Sequence, residues 1–545
     1  MNGGDPLTAT DTIRAAAPAR LTGTQRRYLY LVVFMGGLCT LGIEMSASRL
    51  LGTVFGTSNL VWANIIGLIL IYLTAGYFLG GRIADRSPYL STFYRLILWG
   101  AFTAGLVPVV ARPVLQLAAR AVLSVNAAAM AGSFAVTLIL FAVPVTLLGT
   151  VSPFAIRLAI EDTASAGRVS GRMYAISTVG SIVGTFLPVL LLIPTIGTSF
   201  TFLLFAGLLM LVAFAGLAML GWRRVVVYLW MPIVLAVLAA LTLRGSLRPP
   251  PLGAETIYED ESAYNYIQVA RWGEANLLLL NEGQGIHSMY YPNYPDFIET
   301  GGTWDYYLAA PFFNDPPFTP ADVRSMAMVG LAAGTTPKQY TRVFGPIPID
   351  GFEIDPAIVE VGRKYFDMNE PNLNVIVQDG RFGLLTSEKS YDVVGIDAYK
   401  LPYIPWHLTT REFFEEVRSH LNPRGVVAIN VGRTVNDRRL IEAFSATLGE
   451  VFPSVHVIDV PNTCNSIVVA TIEPTEPENL LANLELLPPD THPLLPKVLA
   501  SAYEQIHPTP EGGVVFTDDR APTELMTDAI LVNFVLSGAG DLPCE

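Results

Sequence analysis

The chain has 545 residues, enough for two or three domains, and is 51% hydrophobic with only 15% charged residues, which argues against a wholly soluble protein. Its net charge of −13 is segregated: residues 1–250 hold 17 Arg, no Lys and 6 acids (net +11), and the rest holds 17 Lys plus Arg against 41 acids (net −24). An acidic second half argues against nucleic acid as a partner and suits an amine, although a merely solvated surface has the same composition. Three dispersed cysteines without a CxxC pair indicate neither a zinc site nor a disulfide framework and leave room for one bridge.

A polar tail (1–27) precedes seven apolar stretches long enough to span a bilayer: 28–51, 60–79, 93–110, 127–148, 174–193, 200–220 and 225–243. The first has no small-residue cleavage site and is read as a retained span. Residues 28–244 are therefore a multi-pass α-helical domain in the cell membrane, with lipid bilayer as its partner. Residues 112–131 are a poor eighth span because Arg120 lies in the middle. With seven spans, Arg14, Arg20, Arg26 and Arg27, then Arg82, Arg86 and Arg95, then Arg157, Arg168 and Arg172, and finally Arg223 and Arg224 all share one side, which is cytoplasmic by the positive-inside rule. That count puts the soluble half outside. The chemistry of the soluble half puts it in the cytoplasm, which is the expectation adopted.

Within the first span Glu44 is an ionisable group that either pairs with Arg49 or binds a cation. Gly80-Gly81-Arg82-Ile83-Ala84-Asp85-Arg86 resembles the turn between helices two and three of the major facilitator superfamily, where it is a structural and gating element. Ala175, Ser177, Gly180, Ser181 and Gly184 suit close helix packing.

A Pro-rich linker (245–256) closes the membrane part. Residues 257–310 alternate polar and apolar side chains and predict a small β unit, broken at Asn281-Glu282-Gly283-Gln284-Gly285. From 311 to 475, strands at 326–329, 347–352, 375–377 and 393–396 alternate with helices at 357–366, 410–421 and 438–452, the rhythm of a doubly wound, Rossmann-like parallel sheet. A C-terminal extension (476–545) contains Phe516-Thr517-Asp518-Asp519-Arg520 and reads as a packing or capping segment.

Polar residues gather where these strands end, the place where open α/β sheets bind ligands. Gly330 and Gly334 allow close backbone approach, and Glu353, about 20 residues on, is placed to accept from a ribose diol. Asp379 ends the third strand and is placed to accept from an adenine amino group. Either Asp379 or Asp355 alone reads equally as a helix N-cap, and for Asp355, before Pro356, the cap is preferred. His287 reads as structural.

The runs Phe352-Glu353-Ile354-Asp355-Pro356 through Phe366, Asp379-Gly380-Arg381, Tyr391-Asp392-Val393-Val394 to Asp397, and Leu408-Thr409-Thr410-Arg411-Glu412-Phe413-Phe414 resemble the spermidine synthase family of aminopropyltransferases, and the whole chain its membrane-fused members. The resemblance implies a transferase of polyamine biosynthesis with an S-adenosylmethionine-methyltransferase-type sheet. Its co-substrate is decarboxylated S-adenosylmethionine, its acceptor a small amine such as putrescine, and it needs no metal. Glu353, Asp379, Gly380, Gly330, Gly334 and Asn265 would bind the donor, and Asp397 would be the catalytic carboxylate. The family's Tyr-Gln appears as Tyr264-Asn265, and its Tyr-His falls near Trp304-Asp305. Since members are often dimers, a homodimer is expected.

The departures are specific. Ala333 replaces the aspartate that holds the donor's amine, and Lys400 replaces a diamine-binding aspartate, so recognition of a dicationic acceptor is weakened. Asp305 is a candidate replacement anchor, and Tyr399, Tyr403, Trp406 and His407 are candidates for an altered acceptor pocket. A methyltransferase using intact S-adenosylmethionine and a non-catalytic polyamine or nucleoside sensor or transport component are the competing functions.

Overall fold

The computed structural model describes residues 21–55, 59–123, 127–243, 248–281, 285–400, 402–510 and 512–536. Arg14, Arg20, linker residues 244–247, the turn at 282–284 and Cys544 lie outside the described residues.

The first half is helical: α1 (Gly23–Phe55), α2 (Asn59–Arg86), α3 (Leu90–Leu123), α4 (Ala127–Gly149), α5 (Val151–Ala159), α6 (Ala166–Leu187), α7 (Ile193–Ala218), the single turn α8 (Arg223–Val226) and α9 (Trp230–Thr242). Among the described residues, six helical runs are long and apolar enough to cross a membrane. One of them, Ala166–Ala218, is 53 residues long and contains two of the seven stretches expected from the sequence. It joins α6 to α7 through a π-helical segment (Pro188–Leu192) and breaks at Gly197, whose φ of 76° and ψ of 165° are not helical.

The chain reverses at that break. Arg172 lies over the Tyr30 ring, Gly180 packs on the Phe34 backbone and Gly184 on that of Leu38, so α6 runs parallel to α1. The Tyr28 hydroxyl donates to the Val212 carbonyl at 2.6 Å, so α7 returns antiparallel. A side chain at Gly180 or Gly184 would collide with α1, which explains the small residues there. Residues 112–123 continue α3. Trp230 contacts Trp99, and Leu235 lies against Gly105, so α9 runs alongside α3 in the same direction.

Ion pairs Arg26–Glu161 (2.5 Å) and Arg157–Asp85 (2.9 Å) gather the start of α1, the end of α2 and the α5–α6 loop at one end of the bundle. The opposite end meets the globular half. There Arg49 donates to the carbonyls of Tyr264 (3.1 Å) and Ser262 rather than pairing with Glu44.

The globular half opens with a four-stranded antiparallel sheet, β1 (Ala254–Glu261), β2 (Tyr266–Trp272), β3 (Ala275–Leu280) and β4 (Ile286–Tyr290), in sequence order. A short helix, α10 (Thr303–Tyr306), leads to the larger sheet. Its strands β5 (Met326–Val329), β6 (Ile349–Glu353), β7 (Leu373–Val377), β8 (Tyr391–Ile396) and β9 (Leu421–Gly432) are parallel. They are joined through α11 (Thr335–Phe344), α12 (Pro356–Tyr365), α13 (Gly380–Leu385) and α14 (Arg411–Ser419). After α15 (Arg439–Gly449) come β10 (Ser454–Asp459) and β11 (Asn465–Thr471), then α16 (Glu478–Glu485), α17 (Leu494–Glu504), β12 (Ile506–His507) and α18 (Thr523–Leu536).

The strand order is β12-β10-β11-β9-β8-β5-β6-β7, a Rossmann-like methyltransferase-type sheet. It departs from the expected all-parallel sheet at one edge, where β11, β10 and β12 are antiparallel. The tight connection at 460–464 is too short for a parallel crossover, so β10 and β11 form a hairpin. Cys464, just before β11, is disulfide-bonded.

Candidate active site

Strands β6, β7 and β8 lead at their carboxyl ends to Glu353, Asp379 and Asp397, and β5 leads to Gly330. Strand order changes direction between β8 and β5, which opens a crevice there. Gly330 follows β5 with φ of 84°, and a Cβ on it would lie 2.6 Å from the Ala398 backbone. Only glycine therefore lets the β5 turn touch the end of β8. Gly334, also at positive φ, starts α11 against Met368. Gly380 opens α13 against the Val329 side chain.

Glu353 ends β6 and is 7% exposed. Its two oxygens accept from Ala332 N (2.9 Å) and Asp355 N (3.1 Å), which fixes the carboxylate under the Gly-rich turn. Burial outweighs those donors and pushes it up to about 7. Asp355 caps α12 through Ala357 N (3.1 Å), as its place before Pro356 predicts. Its other oxygen accepts from Ser262 Oγ (2.5 Å) and Asn265 Nδ2 (2.9 Å). Asn265, expected at the donor, thus bridges Asp355 and Asn281, whose Nδ2 donates to its Oδ1 at 2.8 Å. Tyr264 beside it is exposed.

Asp397 follows β8. Asn430 Nδ2 donates to its Oδ1 at 2.9 Å and the Trp304 side chain also donates to it, while burial pushes it up to about 6. Asn430 is oriented in turn by Asn465 Nδ2 (2.8 Å). Tyr399 donates to the Asn430 carbonyl (2.9 Å) and Tyr307 to the Ile396 carbonyl (2.6 Å). The structure thus brings Trp304, Tyr399 and Asp397 together. The sequence reading missed Asn430, Asn465 and Tyr307. Asn430 carried a signal, being an amide inside the apolar run of β9.

The remaining expected residues lie elsewhere. His407, assigned to the acceptor pocket, sits 2.9 Å from Asp379 Oδ2, and Phe382 N donates to Oδ1 at 3.1 Å. That histidine, then the Phe382 amide, hold the Asp379 carboxyl below its usual range against partial burial. Asp305 is a correction to the anchor idea. Both its oxygens are taken by Thr300 (N and Oγ1, the latter at 2.6 Å), Gly301 N (2.8 Å) and Gln339 Nε2 (2.5 Å), so it secures a loop. Lys400 is exposed in a turn closed by its backbone bonds to Tyr403. Trp406 is 48% exposed and lines a groove with Leu525 and Asp528 beside α18, and Tyr403 donates to Asp528 at 2.5 Å. Ala333 is buried in an apolar cluster with Ile267 and Leu278. His287 Nε2 is buried without a hydrogen-bond partner among the described residues, and burial pushes the ring down to about 4.

Residues 347–483 match the family model described as the spermine/spermidine synthase domain. The chain is 31% identical over 311 residues to a probable polyamine aminopropyl transferase of Bifidobacterium longum, covering 52% of this chain and 65% of that relative. A polyamine aminopropyltransferase of Vibrio vulnificus is 28% identical, with 44% of this chain and 79% of the relative covered. The human eEF1A lysine and N-terminal methyltransferase is 28% identical over 30% of this chain and 24% of its own length. The chain spans 65% of the length of the first of these relatives.

Within the matched stretch, Arg381 after Gly380 is a hub. It donates to Glu416 (2.7 and 2.8 Å) and to Asp518 (2.7 and 2.9 Å), and Asp518 also accepts from Thr410 Oγ1 (2.7 Å). Phe516 is fully buried nearby. The segment 516–520 therefore packs as a strap over α13 and α14.

Proposed function

We propose that the protein is a membrane-tethered aminopropyltransferase that moves an aminopropyl group from decarboxylated S-adenosylmethionine to a small amine. The observation that carries this reading is the half-buried Asp397, held by Asn430 at the β5–β8 crevice, with β5 lying between it and Glu353 in the nucleoside position. The donor fits the residues present: Glu353 faces a turn made by Gly330 and Gly334, where backbone can approach a ribose.

In this reading the acceptor nitrogen attacks the donor methylene next to the sulfonium. A C–N bond forms, the C–S bond breaks with its electron pair leaving on sulfur, and methylthioadenosine departs. Asp397 takes the proton that nitrogen must lose. A carboxyl near 6 is mostly ionised at neutral pH yet basic enough for that role. Asn430 and the Trp304 side chain hold the carboxylate in place, which supplies orientation. Neither Asp305 nor Ala333 supplies an anion for the donor's amine, so acceptor and donor-tail selectivity differ from those of a dicarboxylate-lined site.

Exposed Leu70, Ile71, Phe78, Leu190, Leu211 and Leu241 on the helical half support lipid contact. The arginine-bearing end of the bundle lies opposite the globular half, and Cys464 is disulfide-bonded, so the globular half is read as facing the non-cytoplasmic side. This reading differs from the cytoplasmic expectation.

A methyltransferase on intact S-adenosylmethionine is the second reading, favoured by the apolar burial of Ala333 and by the human methyltransferase relative. Calorimetric titration of the detergent-purified chain with decarboxylated S-adenosylmethionine, S-adenosylmethionine and methylthioadenosine separates the two. Preference for the decarboxylated donor supports aminopropyl transfer, preference for the intact donor supports methyl transfer, and no binding removes both.

A further inference from the structure

The helical half does more than tether. Loop 262–265, between β1 and β2, is held from two sides. On one side Arg49, near the end of α1, donates to the Ser262 and Tyr264 carbonyls. Glu261, at the loop's start, accepts from Thr198 N (2.6 Å) and Thr198 Oγ1 (2.8 Å), just past the Gly197 break. Two helices that run in opposite directions thus present their adjoining ends to one loop.

On the other side the same loop reaches the nucleoside site. Ser262 Oγ and Asn265 Nδ2 both donate to Asp355 Oδ2 (2.5 and 2.9 Å). Asp355 N donates to Glu353 Oε1 at 3.1 Å. A continuous run of hydrogen bonds therefore leads from Arg49 to the carboxylate in the ribose position. Asp355 is 0% exposed and Ser262 8%, so water does not readily replace the links.

We infer that Arg49 is a positioning residue for the donor site: the helical half sets loop 262–265, and through Asp355 it sets Glu353. This rests on the donor-site reading above. A guanidinium with two carbonyl acceptors fixes a loop in direction as well as place, which a lysine's single ammonium does less well. The synthase domain cut free of its helices should bind nucleoside poorly even where its sheet is folded.

The test compares wild type, Arg49→Ala, Arg49→Lys and Ser262→Ala as full-length chains in detergent. Two readouts are methylthioadenosine affinity and amide exchange at 262–265. Arg49→Ala is expected to weaken nucleoside binding roughly five- to tenfold and speed exchange in the loop, with Arg49→Lys between it and wild type. Ser262→Ala, which leaves the helical contacts intact, should weaken binding without loosening helix α1. With donor turnover measurable, the loss should fall on KM and leave kcat within about twofold. Unchanged affinity in Arg49→Ala and Ser262→Ala overturns the inference while the donor site stands. If wild type binds no nucleoside, the donor-site reading fails instead; exchange at 262–265 then still decides whether Arg49 orders the loop, and equal exchange in wild type and Arg49→Ala overturns that too.

Discussion

Asp397 and Glu353 differ in what their burial does. Asp397 is pushed up to about 6, so as a base it is lost when pH falls through that value. The rate should therefore rise across about pH 6 and level off above it, checked by a pH profile at saturating donor. Asp397→Asn should lower turnover by at least ~100-fold with donor affinity kept; equal activity in the variant ends the assignment. Glu353 is pushed up to about 7, and ribose hydroxyls would donate to its charged form. Nucleoside binding should then release protons near pH 7 and tighten as pH rises through it. Calorimetry in two buffers of different ionisation enthalpy reads that proton count, and uptake rather than release would mean the ribose does not meet this carboxylate. Both acids were legible in the sequence because each ends an apolar strand. What surrounds them was not: the Asn430 contact to Asp397 spans 33 residues, and the trapping of Asp305 by Gln339 spans 34.

Strands and helices were read to within a few residues where the pattern was local. Pro356 behind a capping Asp355, and the all-apolar β5, are examples. The hairpin edge was not legible, because periodicity does not tell a parallel strand from an antiparallel one once both faces are buried. Gly330 is the element-scale test. Its φ of 84° alone costs an alanine about 1–3 kcal/mol, and the Cβ would meet the Ala398 backbone, which cannot yield as a flexible side chain would. Gly330→Ala should push the β5 turn away from Asp397, abolish nucleoside binding and lower the melting temperature. Gly345→Ala is the control: it has the same positive φ with nothing within 4 Å, so it should show backbone strain without loss of the site.

At the scale of the whole molecule, charge segregation follows the change from helical to globular structure along the chain, but the orientation of one half on the other needed the contacts. Helix directions decide it. α1 and α6 are parallel and α7 returns, so among the described residues the 53-residue run traverses the length of the bundle twice. Arg26, Arg86, Arg157 and Arg224 then share the end opposite Arg49, where the globular half docks. Cysteines introduced at exposed positions test this directly, since Cys39 is buried and Cys464 is already oxidised. In intact cells a membrane-impermeant maleimide should label Glu388→Cys in the globular half and spare Thr163→Cys in the α5–α6 loop, which should react only after permeabilisation. Reversed labelling would put the globular half in the cytoplasm. Labelling as expected would require donor and amine to be supplied on the oxidising side, and the crevice would then act on exported nucleosides.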